Sequence, residues 1–389
     1  MNERNLKYGK NPSAIRELFE YGKSLALEIG EENVFDFSIG NPYLPTPKIV
    51  NEKLKELIDK RGDSDLHKYT SAIGDLDARK AISDNLKLKY NAEVSENYIY
   101  LTHGAAMAIR IALGAVISSD EDEVIIFAPH FPDYNVFIAS SGAKRILVNP
   151  DENFFIDFDD LERKINRNTK MVIINSPNNP TGVFYDENVI IRLSSLLKAK
   201  EDEYHHPIYL LSDEPYRDIL FVDKKYPFVT NYYKNSLVAY SFSKSLSLPG
   251  ERIGYLLINP KADNADDLLY ASLGAGRALG NVCMNSLFQY VIPEIINSID
   301  SLDFYKNNSL YFYEELTKIG YHVIKPEGAF YLFMKEPYDG FQEKANRNGI
   351  LMPSSESFDY PGYLRISTAV DPDKIKKSIP IFKKLYEEK

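Results

Sequence analysis

Lys244 sits in Ser241-Phe242-Ser243-Lys244-Ser245-Leu246-Ser247-Leu248-Pro249-Gly250-Glu251-Arg252-Ile253-Gly254, a lysine among small hydroxyl residues with an arginine eight positions on. A lysine in such a setting can stay neutral enough to attack a carbonyl and form a Schiff base with an aldehyde. Ser241, Ser243 and Arg252 offer hydroxyl and guanidinium groups, which together with backbone N–H groups are the usual ligands of a phosphate. A strand end followed by a solvated Ser/Pro/Gly loop has the same composition, so the segment alone leaves both readings open.

Other apolar runs end on residues of similar interest. Tyr98 to Leu101 is followed by Thr102-His103-Gly104-Ala105-Ala106, where small residues at a helix start let N–H groups face an anion. Met171 to Ile174 runs into Asn175-Ser176-Pro177-Asn178-Asn179-Pro180-Thr181-Gly182, a rigid turn that presents the Asn179 amide. Ile208 to Leu211 ends on Ser212-Asp213-Glu214-Pro215-Tyr216, and a carboxylate there needs a cation or a donor. Arg365, inside the alternating Tyr363-Leu364-Arg365-Ile366-Ser367, has a planar fork that fits a carboxylate at two points. Each has a purely structural alternative: close packing for Gly104, a connecting loop for Asn179, and an ion pair for Asp213 and for Arg365.

The elements that position these groups follow from apolar patterning. Short apolar strands are expected at 97–101, 123–127, 144–148, 170–174, 207–211 and 236–240, with helices at 105–117, 159–165 and 186–200 between them. Helices are also expected at 13–29, with Ser13 as N-cap, at 48–60, and from Gly74 to about 90, and a strand at 34–39. Buried strands separated by helices predict an α/β fold, a mostly parallel mixed sheet with helices on both faces. After Gly254 to Ile258 the texture changes: helices at 281–296, 301–319 and 373–387, and strands at 321–324, 329–334 and 362–366, predict a smaller α+β domain. The expected division is 1–42 as an N-terminal segment of the small domain, 43–280 as the large domain and 281–389 as the C-terminal small domain. In an open parallel sheet, ligands bind outside the carboxyl ends of the strands, where the residues above fall.

The 389 residues carry a net charge of −10, which argues against a nucleic-acid-binding surface but not against a local basic pocket. The single cysteine, Cys283, excludes an intrachain disulfide and fits a reducing cytoplasm. The N-terminal residues lack the apolar core of a signal peptide, and no run has the length of a membrane span. The six histidines make no ligand spacing with each other or with Cys283, so no metal is expected.

Taken together, Gly40-Asn41-Pro42, Tyr69 with Gly74, Asn179-Pro180-Thr181-Gly182, Asp213 with Tyr216, Ser241 to Gly254, Pro326-Glu327-Gly328-Ala329-Phe330-Tyr331 and Arg365-Ile366-Ser367 resemble the class I/II aminotransferases, with the fold type I architecture of pyridoxal-phosphate enzymes. The motifs come in family order over nearly the whole chain, and the set is far more specific than any member.

The resemblance implies pyridoxal 5′-phosphate as cofactor and transfer of an amino group between an L-amino acid and a 2-oxo acid by a ping-pong mechanism. It implies that Lys244 carries the cofactor and shuttles the proton, that Asp213 keeps the pyridine nitrogen protonated, and that Asn179 and Tyr216 bond the ring oxygen. It further implies that Gly104, Ala105, Ala106, Ser241, Ser243 and Arg252 hold the phosphate, that Phe131 stacks on the ring, and that Arg365 grips the substrate carboxylate near Gly40. Tyr69 would reach the phosphate from the partner subunit of a homodimer. Arg277, in Gly274 to Asn281, could bind a second carboxylate or be an interface arginine. Two departures stand out: Asp75-Leu76-Asp77-Ala78-Arg79 where relatives more often have Leu-Arg after the glycine, and Ser354-Ser355-Glu356 in place of a Gly-containing turn. A β-lyase or a decarboxylase shares every cofactor ligand. The ligand-sensing domain of a transcription regulator is a non-enzymatic alternative, one that the acidic charge does not favour.

Overall fold

A computed structural model describes residues 1–10, 14–299 and 302–388. Its strands are β1 (Phe35–Asp36), β2 (Ile99–Thr102), β3 (Glu123–Phe127), β4 (Lys144–Val148), β5 (Thr169–Asn175), β6 (Tyr209–Asp213), β7 (Ser236–Ser241), β8 (Gly254–Ile258), β9 (Val323–Ile324), β10 (Tyr331–Lys335), β11 (Ile350–Leu351) and β12 (Tyr363–Ser367). Seven of them form one sheet in the order β2-β8-β7-β6-β5-β3-β4. β8 runs antiparallel to β2 and β7, and the other pairings are parallel.

The apolar runs are continuous because both faces of this sheet are covered. Side chains alternate between two cores. Ile173, Leu211, Leu237 and Leu256 pack on one face with Ala108, Ile111 and Leu268 of the helices Gly104–Val116 and Ala265–Ala278. Val172, Leu210, Val238 and Leu257 pack on the other with Ile82, Leu193 and Val291 of the helices Leu76–Tyr90, Glu187–Tyr204 and Ser286–Ile295.

A second, antiparallel sheet, β12-β10-β9, is covered by the helices Asp303–Ile319 and Pro372–Glu387. Phe312, Leu316, Leu332, Leu364, Ile366 and Phe382 form its core, and Phe35 and Phe37 from near the N-terminus complete it. β1 pairs in parallel with β11, and the Ser367 N–H donates to the Phe37 carbonyl at 2.8 Å.

Several expectations meet a local correction. The strand expected at 34–39 pairs only over Phe35–Asp36, where the Asp36 carboxylate turns the chain by accepting the Ser38 N–H at 2.8 Å. The helix expected from Asn281 starts at Ser286, because Asn285 caps it by accepting the Phe288 N–H. Helices at Glu3–Lys10, Ala265–Ala278, Asp133–Ser141 and Phe341–Arg347 were not expected. The predicted N-cap Ser13 and the helix start Ser301 lie outside the described residues; the helices there are described as Ala14–Ile29 and Asp303–Ile319. No described helix is long and apolar enough to cross a membrane.

The antiparallel β8 matters most for the site. Its first residue, Gly254, pairs with both Thr102 and Ser241, so the segment before it returns to the carboxyl ends of β2 and β7. A Cβ at Gly254 would lie 2.3 Å from the Tyr240 carbonyl oxygen and 2.8 Å from the Gly104 backbone, which cannot yield like a side-chain tip. Gly254→Ala is therefore expected to destabilise the fold by about 1–3 kcal/mol or more through overpacking. A lowered urea midpoint with an unchanged denaturant slope checks this.

Candidate active site

The strand ends converge on a cavity of about 280 Å³. Lys244, Asp213, Tyr216, Asn179, Ser241, Ser243, Arg252, Arg365, Phe131, Gly40, Ala105 and Ala106 all line it. They arrive from more than 300 residues of sequence, so the topology rather than local spacing brings them together.

Lys244 lies on the helical turn Phe242–Ser245 that directly follows β7. Its ammonium donates to the Gly40 carbonyl at 2.6 Å. Burial, followed by repulsion from Arg365 and Arg252, pulls its pKa down to about 8. Among the described residues no carboxylate pairs with it; the alternative of a solvated surface lysine does not hold.

The phosphate-type groups form a second corner. The Ser241 and Ser243 hydroxyls lie 2.7 Å apart, and the Ser243 N–H points at Ser241 Oγ. Arg252 has a positive φ of 55°, and its Nη1 donates to the Pro249 carbonyl at 2.9 Å. Gly104 opens the helix Gly104–Val116 beneath it with φ 78°, and a Cβ there would lie 2.8 Å from Arg252 Nη2. Hydroxyls, a guanidinium and an open helix N-terminus in one corner make an anion site.

Asp213 ends β6, is buried, and among the described residues has no arginine partner. Its Oδ2 accepts from the Tyr134 hydroxyl at 2.5 Å, while Oδ1 is buried beside the cavity without a partner among the described residues. Burial pushes its pKa up to about 7, against the Tyr134 bond. The neighbouring Glu214 takes the ion pair instead, with Arg217 at 2.7 Å. Arg365 is also buried, and among the described residues it pairs with no carboxylate. Its Nη1 donates to Asn179 Oδ1 at 3.1 Å and its Nη2 to the Ser38 carbonyl. The guanidinium lies 4.6 Å from the Tyr331 ring centroid and 5.2 Å from that of Phe358, and Nε has no partner among the described residues. Among the described residues, the structural ion pairs offered as alternatives for Asp213 and Arg365 are not made.

This corner-by-corner geometry agrees with a family model. The model "Aminotransferase class I and II" matches residues 32–380. The chain belongs to the class I and II aminotransferases. A probable aspartate aminotransferase of Methanocaldococcus jannaschii is 30% identical over 97% of each chain. A probable N-acetyl-LL-diaminopimelate aminotransferase of Bacillus subtilis is 30% identical over 95% of this chain and 93% of that one. The crystal structure of an aminotransferase from Eubacterium rectale superposes with a TM-score of 0.97 at 48% identity, over 100% of this chain and 98% of that one. The protein is thus an aminotransferase, and the comparisons give the lyase, decarboxylase and regulator alternatives no support over it.

Two residues named from the sequence stand apart in this aminotransferase. Tyr69 is 92% exposed and outside the cavity. Arg277, in the last turn of the helix Ala265–Ala278, is exposed and also outside it. Three residues were missed as site members. Asn175 fixes the turn, with Nδ2 donating to the Asp213 carbonyl and Oδ1 accepting the Asn179 N–H. Tyr331 lines the cavity with its hydroxyl 2.8 Å from that of Tyr216. A Cβ at Gly40 would fall 1.9 Å from that Tyr331 hydroxyl, which explains the glycine. Tyr134 holds Asp213. An amide ending a buried apolar strand was a usable signal for Asn175; nothing local marked the two tyrosines.

The pH behaviour follows from Lys244. Its ammonium cannot attack a carbonyl, so the rate at which apoprotein combines with pyridoxal phosphate should rise with pH through a midpoint near 8. Arg365→Met removes a repelling cation and should move that midpoint upward. An unmoved midpoint in stopped-flow absorbance would contradict this electrostatic account.

Proposed function

We propose that pyridoxal 5′-phosphate binds in this cavity and that the chain moves an amino group between an L-amino acid and a 2-oxo acid in two half-reactions. The observation that carries the reading is that Lys244, Asp213 Oδ1 and Arg365 face one cavity, Oδ1 without a hydrogen-bond donor and Arg365 without a carboxylate among the described residues. The fit is supported on each side: a depressed lysine for the aldehyde, an open carboxylate oxygen for a pyridinium, and an anion corner for the phosphate. When bound, the cofactor withdraws electrons from the substrate Cα and accepts the amino group.

The chain's residues supply the rest. Ser241, Ser243, Arg252 and the backbone of Gly104, Ala105 and Ala106 bind the phosphate. Asp213 would face the ring nitrogen with its open oxygen and would keep it protonated. Asn179 and Tyr216 would donate to the ring oxygen, and Phe131 would cover the ring face. Lys244 would hold the cofactor through its aldehyde carbon and, when free, would hold and move the proton at the substrate Cα. Arg365 holds the α-carboxylate beside Gly40.

We further propose a homodimer, in which Tyr69 and Arg277 serve the partner's site; their exposure outside their own cavity supports this. The only cations lining the cavity from the chain itself are Lys244, Arg252 and Arg365, among the described residues. A second substrate carboxylate would thus be met from the partner, and a dicarboxylic amino donor is the reading we favour, in line with relatives named aspartate aminotransferases. A cytoplasmic location suits the single cysteine. The large domain is proposed to start near residue 43 and to extend beyond 280, because Met284, Phe288, Val291 and Ile292 pack into its core; residues 1–42 join the C-terminal unit.

Mixing the holoenzyme with single amino acids, without a 2-oxo acid, tests the reading. Aspartate or glutamate should convert the bound cofactor to its pyridoxamine form, with pyruvate and ammonia not released from a cysteine conjugate. Arg277→Met should lower kcat/KM for aspartate by about 10- to 100-fold and leave alanine unchanged, the loss of one charged hydrogen-bonded contact. An unchanged ratio would remove Arg277 and the dicarboxylate assignment.

A further inference from the structure

Asp213 is fully enclosed, and the side chain that bonds its carboxylate is Tyr134, not a cation. Tyr134 is 2% exposed, on the helix Asp133–Ser141. Its ring is held on two sides. Phe131, which lines the cavity, meets it edge-on at 5.7 Å, and His130 stacks on it at 6.0 Å and 19°. His130 is in turn tied down, with Nε2 3.0 Å from Asp359 Oδ2 and its backbone N–H on the Phe358 carbonyl. Arg145 also pairs with that Asp359 carboxylate. A buried phenol fixed in this way has one place to put its proton, on Asp213 Oδ2.

The carboxylate is thereby made asymmetric. Oδ2 is occupied as an acceptor from an O–H donor, and Oδ1 is left as the free oxygen at the cavity. Burial and the carboxylate itself keep the phenol protonated, so it stays a donor rather than becoming a second anion. The same short segment, Pro129-His130-Phe131-Pro132-Asp133-Tyr134, thus supplies one ring at the cavity and one hydroxyl behind Asp213.

We propose that Tyr134 is a positioning residue for amino transfer: its hydroxyl orients Asp213 and holds it in the acceptor form, so that Oδ1 meets the cofactor's ring nitrogen. This rests on the proposed contact of Asp213 with that nitrogen. The alternative is that Tyr134 only fills space beneath the sheet.

The test compares apoprotein binding of pyridoxal phosphate with that of the analogue in which CH replaces the ring nitrogen, followed by fluorescence quenching. Tyr134→Phe should weaken pyridoxal phosphate by about 10-fold, as expected for a lost bond to a charged group, and leave the analogue unchanged. Equal weakening of both ligands, or of neither, overturns the inference. Binding of the analogue also reports that the variant is folded. Asp213→Asn is the control. If it too fails to separate the two ligands, the contact of Asp213 with the ring nitrogen fails and takes the Tyr134 role with it. If it separates them and Tyr134→Phe does not, only Tyr134 is excluded. In turnover, Tyr134→Phe should lower kcat with little change in KM for the amino acid; a rise in KM alone would contradict positioning of Asp213.

Discussion

Lys244 is enclosed with two guanidinium groups and without a carboxylate partner among the described residues. That arrangement governs the rest of the site. Repulsion from Arg365 and Arg252 adds to desolvation to disfavour the ammonium, which makes the amine available for attack near neutral pH. It also leaves the cavity short of negative charge. Such a cavity favours ligands that bring their own anions, and a phosphate with a carboxylate substrate brings two. The fold holds the three cations apart by delivering them on separate elements: Lys244 after β7, Arg252 before the antiparallel β8, and Arg365 within β12 of the other sheet.

The adjacent carboxylates Asp213 and Glu214 show how the sheet sorts charge. Glu214 turns away from the cavity and is neutralised by Arg217, which also lies 4.1 Å from the Tyr240 ring centroid and donates to the Tyr255 hydroxyl. Asp213 faces the cavity with one hydroxyl donor and one open oxygen. Burial raises the pKa of Asp213 most and repulsion from Glu214 adds to it, against the Tyr134 hydrogen bond.

Much of this was legible in the sequence. Continuous apolar runs marked the strands, and each strand end carried its polar residue, because burial on both faces leaves chemistry only at the ends. Arg365 was legible because an arginine inside an alternating strand is costly. Tyr331 was not, since its proximity to Arg365 depends on the β10–β12 register, which pairs Phe333 with Arg365 and leaves Tyr331 diagonally beside it. Tyr134 was hidden for a different reason: its helix reads Asp-Tyr-Asn-Val-Phe-Ile-Ala-Ser-Ser, with no clean apolar stripe to mark a helix. The proposed partner contributions of Tyr69 and Arg277 rest on family order, because exposed residues carry no pattern of their own.

The account turns on Lys244 being the residue that both holds the cofactor and gives it up to an amino acid. Borohydride reduction of the holoenzyme, followed by peptide mapping, tests this directly. A pyridoxyl adduct on Lys244 and on no other lysine is predicted, and it should disappear when the enzyme is first mixed with an amino donor in the absence of a 2-oxo acid. An adduct on a different lysine, or one on Lys244 that persists after the donor is added, would contradict the account.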